Sequence, residues 1–159
     1  MKSCTRTGGG AQGVRYFRGR RLRTAMTARY ASTSWTIIAL GKLGAEELNY
    51  SSDVDLLILH DLATAPLAKE QVQPFYVGLT RDLVRLLSTA TADGIGWRID
   101  LRLRPDPGAT AVSIDIDAAI GYYESLARTW ERAAFIRARP VAGDIQLAER
   151  FLSQIQPFI

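Results

Sequence analysis

Residues 53–60 read DVDLLILH, and this stretch narrows the possible folds more than any other. Leu56, Leu57, Ile58 and Leu59 follow one another without a polar interruption. A strand with one wet face alternates apolar and polar positions, so an unbroken run predicts a strand buried on both faces. Such a strand needs a sheet with a layer on either side. It is also opened by two carboxylates, Asp53 and Asp55, which a buried strand does not need for its own sake.

The remaining pattern supplies the layers. Residues 36–40 (TIIAL) form a short β-branched run that stops at Gly41 and predicts a second buried strand. Gly41-Lys42-Leu43-Gly44 reads as a turn, residues 45–48 as a single helical turn, and residues 49–52 as a polar loop. Phe75, Tyr76, Leu79, Leu83, Leu86, Leu87 and Ala90 recur at i, i+3/i+4 spacing and predict a helix over 72–90, with Pro74 in its first turn. Asp93-Gly94 breaks the chain. Residues 97–104 (WRIDLRLR) alternate strictly and predict a third strand, ended by Pro105. Helices are expected over 115–127, over 129–139 with Pro140 as the stop, and from an Asp144 cap onward. The expected class is α/β (α+β), a mixed sheet with flanking helices.

Composition removes several kinds of chemistry. Cys4 is the only cysteine and His60 the only histidine in 159 residues, so neither a disulfide scaffold nor a Cys/His zinc site is available. Cysteine usage fits a reducing, cytoplasmic setting. A metal would have to be held by Asp or Glu oxygens. The longest apolar runs fall far short of the ~18 residues that cross a bilayer. Residues 1–34 carry eight basic side chains and no acid, whereas residues 35–159 carry twelve basic and sixteen acidic ones. The basic pI thus belongs to the first fifth of the chain, and the rest gives no argument for nucleic acid. Residues 1–24, with Gly8-Gly9-Gly10 and scattered arginines, read as disordered. A nucleic-acid arm, a transit peptide and a segment foreign to the domain compete as explanations. The last is favoured, because ordered patterning starts abruptly near Trp35 and the final helix is still amphipathic at Ile159. The expected organisation is a basic segment over 1–30, one domain over 31–143 and the start of a following helix over 144–159.

Asp53 and Asp55 stand two apart at a strand start, which puts both carboxylates on one face with Cα atoms about 6.6 Å apart. Divalent cations are natural partners for such a pair, and two Mg²⁺ ions held by carboxylates are a common clamp for phosphoryl and nucleotidyl transfer. A capped turn followed by an edge residue fits the same D-x-D. The stretch 97–104 adds weight: Trp97, Ile99, Leu101 and Leu103 form one face, and Arg98, Asp100, Arg102 and Arg104 the other. If that strand lies beside 53–60, Asp100 supplies a third metal carboxylate, and Arg102 and Arg104 offset phosphate charge through forked guanidinium bonds. Gly41 and Lys42, following a buried strand, suit close approach of backbone N–H groups to phosphate. The spacing is neither a P-loop nor a dinucleotide-binding fingerprint. Ser52 shapes the loop before Asp53, with phosphate contact as the lesser role. Glu131, Arg132, Arg137 and Arg139 read as structural, and His60 as a core or surface residue.

Taken together, a glycine after a strand, a D-h-D entering the next strand and a carboxylate on a later one resemble the nucleotidyltransferase fold of the DNA polymerase β superfamily. The runs at 40–61 (LGKLGAEELNYSSDVDLLILHD), 97–105 (WRIDLRLRP) and 128–144 (RTWERAAFIRARPVAGD) resemble bacterial bifunctional glutamine synthetase adenylyltransferase/adenylyl-removing enzymes from about Trp35 onward. Residues 1–30 do not resemble them. That resemblance implies two related catalytic halves, one attaching AMP from ATP to a tyrosine of glutamine synthetase, the other removing it with phosphate to give ADP. Trp130-Glu131-Arg132-Ala133-Ala134 and the Pro140 ending look more like the removing half, and the chain looks like a fragment of it. The implied metal carboxylates are Asp53, Asp55 and Asp100, binding Mg²⁺, and the implied glycine-lysine turn is Gly41 and Lys42. Ala45 departs from the family, which usually has glycine there. The resemblance implies glutamine synthetase as partner, regulation of nitrogen assimilation, and a nitrogen-signalling regulatory protein acting through parts outside this chain. Another nucleotidyltransferase, or a non-catalytic interaction fragment, would keep the same motifs.

Overall fold

The computed structural model describes residues 34–92, 94 and 96–159. The expected disorder of residues 1–24 and the whole of the basic segment 1–30 lie outside these residues, as does Asp93. Five strands and five helices form a mixed α/β fold: β1 (Trp35–Ala39), α1 (Gly41–Gly44), β2 (Val54–His60), α2 (Lys69–Ser88), β3 (Ile99–Asp100), β4 (Ile114–Asp115), α3 (Ile116–Ser125), α4 (Thr129–Ala133), β5 (Arg139–Gly143) and α5 (Ile145–Ile155), with a closing 3-10 turn over Gln156–Phe158. The sheet runs β3-β2-β1-β5, and β4 also pairs with β2. β1 is antiparallel to β2 and β5, whereas β3 and β4 run parallel to β2.

β2 is the central strand the sequence requires: Leu56 to His60 are all buried. Period-two alternation sends its side chains into two cores. Leu57 and Leu59, with Ile38 of β1 and Leu40 just after it, meet Ile116, Ala119 and Tyr123 of α3 and Leu147, Phe151 and Ile155 of α5. Val54, Leu56 and Ile58, with Ile37 and Ala39, form the other core, flanked by Leu83, Ile99 and Leu101. The helix set apart at residues 144–159 therefore packs into the same core as the sheet. Asp144 caps it as expected, its carboxylate accepting from Leu147 N at 3.1 Å.

Several sequence expectations need correction. The helical turn falls on Gly41–Gly44, not on residues 45–48, where Glu46 instead takes φ +63°. α2 begins at Lys69, so Pro74 lies inside the helix. Its buried stripe is Val72, Tyr76 and Thr80, while Phe75, Leu79 and Leu86 are exposed. Two apolar stripes run side by side on this helix, and periodicity cannot say which one faces the sheet. The helix expected over 129–139 ends at Ala133, and Pro140 sits in β5 opposite Ile38, next to a bulge. An edge strand tolerates the missing N–H. The side chain buried by α4 is Glu131, which accepts from Tyr122 Oη and Arg128 N, both at 2.7 Å, and so ties α3 to α4.

His60 is a core residue, as one of its two expected placements: it is 1% exposed, its Nδ1 lies 2.9 Å from Ser113 Oγ, and Tyr76 stacks on its ring. The next residue, Asp61, is buried where β2 ends. It accepts from the N–H groups of Ala63 (2.9 Å) and Thr64 (3.3 Å) and pairs with Arg150 at 3.2 Å. Burial alone would raise its pKa, but the donors of Ala63 and Thr64 and the Arg150 charge outweigh it and hold the carboxyl below 3.8. A depressed folded pKa stabilises above the unfolded value, and that stabilisation is lost as pH falls through the folded value. Asp61→Asn is therefore expected to cost about 1–3 kcal/mol at pH 7. The gap from the wild type should shrink as pH falls below about 4, the ordinary range of a free aspartate, and through the depressed folded value. Thermal melts at pH 7 and pH 3 check this; an equal gap at both would contradict it.

Candidate active site

The carboxylates come together through strand register. β2 and β3 are parallel with Asp55 directly opposite Asp100, and Val54 opposite Ile99. Side chains opposite each other in a parallel pair point to the same face, and Asp53 lies two residues before Asp55. All three acids thus sit at one end of the sheet, at the mouth of the α3/α5 core.

β3 is much shorter than the expected strand over 97–104. After Asp100 the chain turns out of the sheet and returns at β4, so that β3 and β4 flank the two ends of β2 on one edge. The turn is built by Asp100 itself, whose Oδ1 accepts from Arg102 N at 2.8 Å. Alternation consequently fails past Leu101: Ile99 and Leu101 join one core, Leu103 the other. Arg104 is engaged by backbone carbonyls. Its guanidinium donates to the carbonyls of Leu101 and Pro107 at 2.8 Å and Thr110 at 3.3 Å, and so staples the excursion between β3 and β4.

The three acids differ in their surroundings. Asp53 pairs with Arg98 Nε at 2.8 Å, and the same guanidinium donates to Ser51 O. Asp100 is clamped by Arg102: Nε reaches both carboxylate oxygens at 3.0 and 2.9 Å, and Nη2 reaches Oδ2 at 2.6 Å. The Arg102 hydrogen bonds hold the Asp100 carboxyl below its ordinary range against the opposing effect of burial. The Asp55 carboxylate has no hydrogen bond or ion pair among the described residues. Burial, then the charges of Asp100 and Asp53, raise its pKa, and Arg102 offsets only part of this.

Gly41 shows how closely β1's end approaches the acids. It has φ +51°, and a Cβ there would stand 2.5 Å from Asp55 Oδ2. Only glycine leaves that oxygen uncovered. Lys42 Nζ donates to Ser52 Oγ at 3.3 Å, and Ser52 Oγ to Asn49 Oδ1 at 2.6 Å, which links the turn after β1 to the loop before Asp53. Arg139 holds the turn from below through Leu43 O (3.1 Å) and Gly44 O (3.3 Å), and Arg137 pairs with Glu47 at 2.9 Å. Both arginines thus have protein partners.

Among the described residues, no three Asp, Glu, His or Cys side chains converge as ligands. The donor set nevertheless suits a hard cation: three carboxylates, one uncompensated, an open oxygen beside Gly41, and guanidinium groups standing where positive charge is needed. Arg98, paired with Asp53, is the charged neighbour of the acids to which sequence reasoning gave no role. The available signal was its parity with Asp100 on the charged face. Two cavities lie elsewhere. An apolar one of about 320 Å³ opens on the Leu56 face, and a polar one of about 460 Å³ lies around Asp61 and Arg150. Neither includes the three acids.

Comparison with known proteins follows the same lines. The glutamate-ammonia ligase adenylyltransferase family matches residues 18–154, starting inside the segment that the sequence reading set outside the domain. The bifunctional glutamine synthetase adenylyltransferase/adenylyl-removing enzyme of Xanthobacter autotrophicus is 56% identical over 124 residues, which cover 77% of this chain and 12% of that protein. The enzymes of the same description from Bradyrhizobium sp. strain BTAi1 and Rhizobium meliloti are 51% and 49% identical, each over 77% of this chain and 13% of their own length. The chain spans about an eighth of the curated relatives it matches.

Proposed function

Because the chain belongs to the glutamate-ammonia ligase adenylyltransferase family, we propose that it carries a metal-dependent nucleotidyltransferase site, of the DNA polymerase β superfamily fold, acting on glutamine synthetase in the adenylyl-removing direction. The observation that carries this reading is the register of Asp55 against Asp100, beside a glycine whose Cβ would cover Asp55.

Asp53, Asp55 and Asp100 would hold Mg²⁺, two ions in the full site, with ATP, ADP and phosphate as its nucleotide and anion ligands. Bound there, the metal supplies Lewis acidity toward the phosphoryl oxygens and charge neutralisation during transfer. The protein's own groups bind and orient. Gly41 keeps the backbone low enough for a phosphoryl group to approach Asp55. Lys42 and Ser52, already joined to each other, present a cation and a hydroxyl to it. Arg102, 81% exposed at the rim, meets the attacking phosphate, while Arg104 shapes the loop that carries it. In the removing direction, a phosphate oxygen forms a bond to the phosphorus of AMP. The bond from that phosphorus to the tyrosine oxygen breaks, ADP leaves, and the tyrosine oxygen takes up a proton. No side-chain nucleophile is required. The setting of the whole enzyme would be regulation of nitrogen assimilation in the cytoplasm under a nitrogen-signalling protein, as the family resemblance implies. Among the described residues no helix is long and apolar enough to cross a membrane.

The test is direct. The purified chain, extended to the length of a relative where the short form is inactive, is mixed with adenylylated glutamine synthetase, Mg²⁺ and phosphate. ADP is expected, and none without phosphate. AMP transfer from ATP in place of ADP formation would reverse the direction. A folded, metal-bound protein that does neither would favour the non-catalytic fragment.

A further inference from the structure

We infer that Arg98 and Arg102 balance the charge of the three acids, and that Arg102 exchanges Asp100 for an incoming phosphate when a metal binds. This deepens the proposed function and rests on its metal site. It accounts for two facts at once: three acids share one end of the sheet, yet no three converge as ligands.

The geometry favours exchange over a permanent ion pair. Arg102 occupies both oxygens of Asp100, so a metal cannot share that carboxylate without displacing it. The pair is lopsided: the Asp100 side chain is 14% exposed and that of Arg102 81%. Arg102 therefore covers the acid from the solvent side and swings away without disturbing the core. The turn after β3 survives the swing, because it is held by Asp100 Oδ1 on the Arg102 backbone N–H and by Arg104 on three carbonyls. Arg102 also feels the charges of Asp53 and Asp55, so it serves the whole cluster and not one partner. Arg98 does the same for Asp53, but it is tied to Ser51 O as well and is the less mobile of the two. Asp55 alone has no arginine on it, and it becomes the first point of attachment for the metal. Released from Asp100, the Arg102 guanidinium is a forked donor at the rim, suited to two phosphate oxygens.

The consequence is a substitution with opposite effects on two ligands. Mn²⁺ binding to the full chain is followed by electron paramagnetic resonance of the free ion, without nucleotide. Inorganic phosphate binding is then measured by calorimetry at saturating Mn²⁺. Arg102→Ala is expected to bind Mn²⁺ about tenfold more tightly than the wild type, since a charge-assisted competitor is gone, and to bind phosphate about tenfold more weakly. Arg102→Lys, which keeps the charge without the fork, should fall between them on both scales. Arg81→Ala on α2 should change neither. Equal or weaker Mn²⁺ binding by Arg102→Ala overturns the inference while leaving the metal site standing. If no form binds Mn²⁺ at millimolar concentration while its melting curve shows it folded, the metal reading itself fails and the exchange falls with it.

Discussion

Asp55→Asn is expected to lower ADP formation about 1,000-fold or more and to raise the melting temperature of the metal-free protein. The activity loss follows from its place: it is the acid without an arginine, opposite Asp100 and under Gly41. In the proposed metal site, losing this carboxylate removes several kcal/mol of charge stabilisation from the transition state, and each 1.36 kcal/mol is about a factor of ten. The stability gain has the same origin. Burial and two neighbouring acids make the Asp55 charge unfavourable in the fold, and an asparagine of nearly the same shape removes it. A rise of a few degrees is expected, the usual exchange between activity and stability at a strained site. Activity assays with saturating Mg²⁺, paired with thermal melts in chelator, measure both. A variant that is inactive and melts lower would indicate that Asp55 is simply a structural residue.

The second large effect concerns the turn that places Gly41. Gly44 is buried, and a Cβ added there would overlap the Arg137 carbonyl oxygen and stand 2.8 Å from the Ala39 carbonyl oxygen. Both obstacles are backbone, so relief requires moving the end of β1 or the segment entering β5. Moving either also pulls on Arg139, which grips the carbonyls of Leu43 and Gly44. Gly44→Ala is therefore expected to cost about 1–3 kcal/mol, or roughly 3–10 °C in melting temperature for a chain of this size. Gly78→Ala is the matched contrast. Gly78 lies in α2 with nothing within 4 Å of its would-be Cβ, so alanine should stabilise by about 0.5–1 kcal/mol through helix propensity. Circular dichroism melts of the two variants should move in opposite directions. A Gly44→Ala protein that melts like the wild type would remove the packing argument for the turn.

What the sequence made legible, and what it did not, follows from where the information lies. The central strand was readable because double-sided burial leaves an unbroken apolar run. The acid pair was readable because carboxylates at a buried strand's start need a reason. Asp100 was reachable through parity, and the register with Asp55 agrees with it. The length of β3 was not legible. Strict alternation over 97–104 satisfies a strand template, but a side-chain acceptor on Arg102 N ends the pairing after two residues. The carbonyl partners of Arg104 could not be foreseen, because they come from a loop whose path no periodicity encodes. Pro140 was misread because proline marks both helix ends and edge strands, and only the sheet order tells them apart. The inner face of α2 was missed because its apolar residues form two neighbouring stripes.

The central claim is that Asp53, Asp55 and Asp100 form one metal site, and a crystal of the chain grown with Mn²⁺, read by anomalous scattering, tests it most directly. The expected map has its strongest peak within ligand distance of the Asp55 and Asp100 carboxylates, with the Arg102 guanidinium moved off Asp100. A map in which Arg102 still clamps Asp100 and the only Mn²⁺ peaks lie away from the three acids would contradict the account.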